Sequence, residues 1–107
     1  MIKTYLEITT DSREVYKELV DLVGSPTNYR KTESKRNPGK CFHTWSKDGS
    51  IKELCMFILP FIDLIEHKAQ LWALYEYEDQ CNYELSVEEI RMISDLGLSF
   101  CFTAWEK

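Results

Sequence analysis

Between Ser50 and His67 the chain is apolar around almost the whole circumference of a would-be helix, and this stretch restricts the fold more than any other. Ile51, Leu54, Cys55, Ile58, Ile62 and Ile65 recur at helical spacing, and Ser50 followed by Glu53 has the capping-box pattern of a helix start. A helix is therefore expected from 51 to about 67. Met56, Phe57, Leu59, Phe61 and Leu64 are apolar as well, so one contact face cannot hide it. It must be central, or be covered by a partner or by a second copy in a homodimer. Pro60 lacks an amide hydrogen and should kink or divide it. The longest apolar run, Leu54 to Ile62, has nine residues, against ~20 needed to cross a membrane, so no span is expected.

Strands supply the rest of the layer. Residues 2–9 alternate, with Ile2, Leu6 and Ile8 on one face and Lys3, Glu7 and Thr9 on the other, as in a half-buried strand. Asp11 with Glu14 suggests a capped helix over 11–23, carrying Val15, Leu19, Leu22 and Val23 and closed by Gly24 and Pro26. CFHTWS (41–46) reads as a short strand before the Lys47-Asp48-Gly49 turn, and QLWALYEYE (70–78) as another. Ser86 with Glu89 caps a helix over 86–96 that ends at Gly97, and LSFCFTAW closes the chain as a strand. The expectation is a single α+β domain over 1–107: a four-stranded, mainly antiparallel sheet with three helices, in the order β-α-β-α-β-α-β.

Charge is distributed unevenly. Thirteen Lys and Arg against eighteen Asp and Glu give a net charge of −5. From Tyr29 to Lys40 the chain has five basic residues, one acid and an Asn-Pro-Gly turn signal, and reads as an exposed loop. The remainder holds eight basic residues against seventeen acids, a net charge of −9, which opposes a polyanion. Neither nucleic acid nor an anionic membrane is an expected partner; a basic protein is. Cys41, Cys55, Cys81 and Cys101 are separated by 13, 25 and 19 residues, so no CxxC pair exists to hold zinc. The N-terminus has no basic stretch leading into an apolar run, and with buried thiols this reads as a cytoplasmic protein.

Residues 83–102, YELSVEEIRMISDLGLSFCF, resemble the end of the bacterial family called domain of unknown function 4279, in which Leu-Ser-x-Glu opens a helix ending Leu-Gly-Leu before an alternating strand. Gly24-Ser-Pro26, the Trp45-Ser46 strand and Glu66-His67-Lys68 extend the similarity over most of the chain. That resemblance implies the fold and names no activity. In size and charge the chain is also similar to the immunity proteins of polymorphic toxin and contact-dependent growth inhibition systems.

From Glu76 to Glu89 stand six acids (Glu76, Glu78, Asp79, Glu84, Glu88, Glu89) and no Lys or Arg, interleaved with tyrosines. Acids and tyrosines together suit a surface that attracts a positively charged protein, and nuclease sites are basic because they bind phosphates. Tyr75, Glu76, Tyr77, Glu78, Asp79, Tyr83 and Glu84 are the expected partner-binding residues. Glu76 and Glu78, two apart on one strand face, and Cys41-x-His43 with His67, are the remaining constellations; their spacing marks neither acid-base catalysis nor a metal site. With no GxSxG elbow and no phosphate-binding glycine motif, no enzyme and no cofactor are expected. The function expected is that of an immunity protein that occludes a basic toxin domain, most concretely a nuclease. The alternative is a ligand-binding or self-assembling domain.

Overall fold

The computed structural model describes residues 2–33, 35, 38, 39, 41–65 and 69–107, with residues 28–33 described through their backbone alone. The chain runs β1 (Ile2–Thr10), α1 (Arg13–Val23), β2 (Asn28–Glu33), β3 (Cys41–Asp48), α2 (Ile51–Ile58), a 3₁₀ turn (Leu59–Phe61), α3 (Ile62–Ile65), β4 (Ala69–Tyr77), α4 (Val87–Leu96) and β5 (Ser99–Glu106). The class is α+β. The sheet has five strands in the order β2-β3-β1-β4-β5.

Two expectations are corrected. The segment from Tyr29, read as loop, contains β2, which pairs antiparallel with β3. Its sequence, NYRKTE, has no apolar alternation because an edge strand is held by backbone pairing and does not need a buried side-chain face. The sheet is also mixed: β1 pairs antiparallel with β3 and β4, but β4 and β5 are parallel. The cause is the connection between them, in which α4 carries the chain back so that β5 starts at the same end as β4. Alternation along a strand does not encode direction. The long helix is divided at Pro60 by the 3₁₀ turn, as its missing amide hydrogen led one to expect, and its described part ends at Ile65, while 66–68, including His67, fall outside the described residues. The element order is therefore β-α-β-β-α-β-α-β, with the second helix divided.

Caps follow the sequence with one shift. Ser12, not Asp11, caps α1, its hydroxyl accepting from the Val15 amide at 3.3 Å, and Asp11 is buried. Ser50 accepts from the Glu53 amide, and Ser86 with Glu89 forms a full capping box on α4. Gly97 ends α4 at φ 65°, left-handed backbone that a side chain would strain, so that Leu98 turns straight into β5.

The register sorts the sheet into two faces. Leu6 stands opposite Lys47 and Leu71, and Ile8 opposite Trp45 and Ala69. Leu6, Ile8, Trp45, Ala69 and Leu71 form one buried cluster with Leu19 of α1, Ile51, Leu54, Cys55 and Ile58 of α2, Ile65 and Ile93. The helices thus cover that face. On the other face Tyr5 stacks on Trp72, centroids 6.2 Å apart. Of the helix expected to be greasy all round, Met56 and Leu59 stay exposed, while its main stripe is buried. No helix among the described residues is long and apolar enough to cross a membrane.

Candidate functional site

The acidic and tyrosine-rich run leaves β4, crosses an irregular segment and enters α4, and the fold divides it. Tyr75 and Tyr77 lie on the helix-covered side of β4, opposite Ile2 and, across the parallel pair, Ala104 and Glu106; their rings stack at 6.2 Å. Glu76 points to the other face beside Trp105, because neighbours in a strand alternate. Glu78 lies past the end of β4, so the two glutamates do not share a strand face. Glu78 sits 3.8 Å from Lys107, with both side chains exposed, an ion pair worth little in water. Glu88 turns to Lys52 of α2 at 3.0 Å, and a Glu89 carboxylate oxygen accepts from the Ser86 amide at 2.9 Å. Both are committed to holding α4. Glu78, Asp79 and Glu84 are the exposed acids of the run that do not help to hold α4, Glu78 facing Lys107 at the surface.

Tyr83 takes a different role. Its ring lies nearly parallel to Phe102 at 5.3 Å and to Phe100 at 6.4 Å, fastening the irregular segment across β5. Burial, and then the nearby Glu89 carboxylate, pushes its phenol up from the ordinary 10.0, so it stays a neutral hydrogen-bonding group. Around this stack, Cys81, Tyr83, Leu85, Ile90, Phe100 and Phe102 line a shallow groove of about 360 Å³. Its apolar groups are not hidden: Phe102 is 43% and Ile90 51% exposed, and Val87, also on α4, is exposed too; the exposed Trp105 lies on the opposite face of the sheet. β5 is the last strand of the sheet, so its outer backbone edge is open beside the groove. The site is an apolar groove on an open strand edge, with Glu78, Asp79 and Glu84 on the chain segment that forms its wall.

Sequence reasoning placed the acids and tyrosines but missed Phe102, Ile90 and Trp105 as surface residues. Trp45 is buried and Trp72 half-buried, as strand tryptophans usually are; the exposed Trp105 departs from that pattern because β5 is an edge. Elsewhere, Cys41 and His43 share a cavity of about 390 Å³ with Asp11, Arg13 and Tyr16. The rings of Tyr16 and His43 are 4.2 Å apart, and burial lowers the His43 pKa from 6.5. Among the described residues no three metal-ligand side chains come together. Cys41, Cys55, Cys81 and Cys101 are free thiols, and burial raises the Cys55 pKa.

Set against protein-family models, curated proteins and solved structures, the chain matches none of them.

Proposed function

We propose that this protein binds and neutralises a basic protein partner without chemistry, and in its most specific form is an immunity protein that occludes a toxin nuclease domain. The observation that carries this reading is the exposed apolar groove of Tyr83, Phe102 and Ile90, with Glu78, Asp79 and Glu84 presented beside it. An apolar centre with a charged rim is the usual anatomy of a specific protein interface. Exposed carboxylates speed encounter with a cationic surface and select for it, while Phe102 and Ile90 supply the contact area that holds the complex. Tyr75 and Tyr77 extend the surface along β4, and Glu76 belongs to the opposite face. The four free thiols favour a reducing compartment, so the proposed place of action is the cytoplasm, where an incoming toxin would be met. The resemblance of residues 83–102 to domain of unknown function 4279 adds no activity to this reading.

Titration calorimetry of the whole protein against the nuclease domains of secreted toxins from its own genome tests the proposal. It predicts a dissociation constant of about 1 nM to 100 nM for one such domain at low salt, weakening as salt rises, and protection of cells producing that domain. Failure to bind any of them, or binding indifferent to Glu78→Lys, Asp79→Lys and Glu84→Lys together at low salt, would overturn it.

A further inference from the structure

A second cavity, of about 390 Å³, lies on the helix-covered face between the end of α1 and α2, away from the β5 edge. Leu6, Ile8 and Trp45 form its floor, Val23 and Phe57 its walls, and Leu22 stands exposed at its mouth. That volume falls at the small end of ligand pockets, about 300 to 1,000 Å³. The floor is built to be apolar. The Trp45 indole N–H donates to the Gly24 carbonyl at 3.0 Å, so the tryptophan shows the cavity only its ring. The Ser46 amide donates to the Thr27 hydroxyl at 3.2 Å, which fixes the rim where the chain leaves α1 for β2. The sequence suggested neither feature, since Trp45 and Phe57 are distant in the chain.

The polar residues that line this cavity are Ser25, Thr27, Ser46 and Lys47, of which Ser46 turns its side chain to the other face of the sheet. Lys47 lies on the same face of β3 as Trp45, and its ammonium sits 4.8 Å from the centre of the Phe57 ring. Among the described residues no carboxylate lies within ion-pair distance of it, so the ring is its only close attraction there. An exposed cation held over an aromatic wall is weakly bound and can be exchanged for a stronger partner. A carboxylate entering the cavity would supply one, and an aromatic or aliphatic body would lie on Trp45, Leu6 and Ile8.

We propose that this cavity binds a small monocarboxylic acid with a compact aromatic or aliphatic body, its carboxylate on Lys47 and the Ser25 and Thr27 hydroxyls, its apolar part on Trp45 and Phe57. The site is independent of the partner surface and goes beyond the neutralising role. The test is an NMR titration of the full chain with phenylacetate, 3-phenylpropionate and octanoate, each beside its uncharged primary amide, following the Trp45 indole N–H and the Phe57 ring. At least one acid should saturate both signals with a dissociation constant below about 1 mM, its amide binding at least tenfold more weakly. Lys47→Met should reduce the acid to the level of its amide, and Lys47→Arg should keep it within about threefold. No shift at Trp45 up to about 10 mM of any acid, equal binding of acid and amide, or full affinity in Lys47→Met would each overturn the proposal.

Discussion

β2 and β5 each leave one side of their backbone unpaired, yet β2 reads NYRKTE and β5 reads SFCFTAWE. β2 carries charge on three of its six residues, and its register with β3 shifts between Arg30 and Glu33, a local irregularity of the kind that bends an edge away from further pairing. β5 keeps an unbroken register with β4 over eight residues and has one charge, Glu106, at its very end. Natural sheets blunt their edges with charge and bulges, so an edge lacking both is where association is tolerated or required. The contrast sets a defended side against an accessible one, and the Tyr83 groove lies on the accessible side. β5 is also tied more firmly to the body of the protein, since Leu98 and Phe100 reach the core and Ile93 of α4 backs them.

The largest effect expected from that difference is on stability. Ile93→Ala removes the buried side chain that joins α4 to the core and should cost about 3 kcal/mol in urea unfolding. Lys35→Ala, at an exposed position between β2 and β3, should change stability by no more than about 0.5 kcal/mol. Equal costs would erase the asymmetry.

Next comes charge. Glu78→Lys, Asp79→Lys and Glu84→Lys together should weaken binding to a basic partner about 100-fold at low salt, converging on the wild type as salt rises. Arg30→Glu with Lys31→Glu on β2 should change the same affinity less than about threefold. The reverse ranking, read by calorimetry, would move the docking surface to the other edge. A single charge on the accessible strand sharpens the point: Thr103→Lys should lower affinity about tenfold while leaving the melting temperature within about 2 °C.

The caps of α2 and α4, the first strand, the last helix and the division at Pro60 could all be read from residue pattern, because each is set by local chemistry: a hydroxyl at a helix start, a missing amide, a glycine at φ 65°; the cap of α1 was displaced by one residue, from Asp11 to Ser12. β2 could not be read so, since NYRKTE is stabilised by the backbone of β3 and displays no pattern of its own. The parallel direction of β5 was hidden for a related reason: the alternation of SFCFTAWE is the same whichever way it runs, and only the α4 crossover sets its sense. Of the candidate site, the acids were legible as a run of charge. Their division was not, because Glu88 meets Lys52 through α2 and Glu89 folds back on Ser86, contacts that depend on where α4 begins. Phe102 and Ile90 looked like core because their periodicity is that of core residues; only the edge position of β5 leaves them open.

The smallest expected effect concerns His43, beside the β2 side of the sheet. Burial lowers its pKa below the 6.5 of an unfolded histidine, so the native state resists a proton that the unfolded chain accepts. Its contribution to stability is full above about pH 6.5 and falls as the pH drops through that value towards the lower native pKa. His43→Gln should flatten the slope of unfolding free energy between about pH 7 and 5.5, a range above most carboxylate titration. An unchanged slope would mean that His43 takes its proton as readily folded as unfolded.

Amide hydrogen exchange of the whole protein, alone and bound to the toxin domain identified by calorimetry, tests the accessible-edge account most directly. The account predicts that amides of β5 and of residues 78–85 slow at least about tenfold in the complex while those of β2 are unchanged. Protection confined to β2 and the β2–β3 connection, with β5 exchanging as in the free protein, would contradict it.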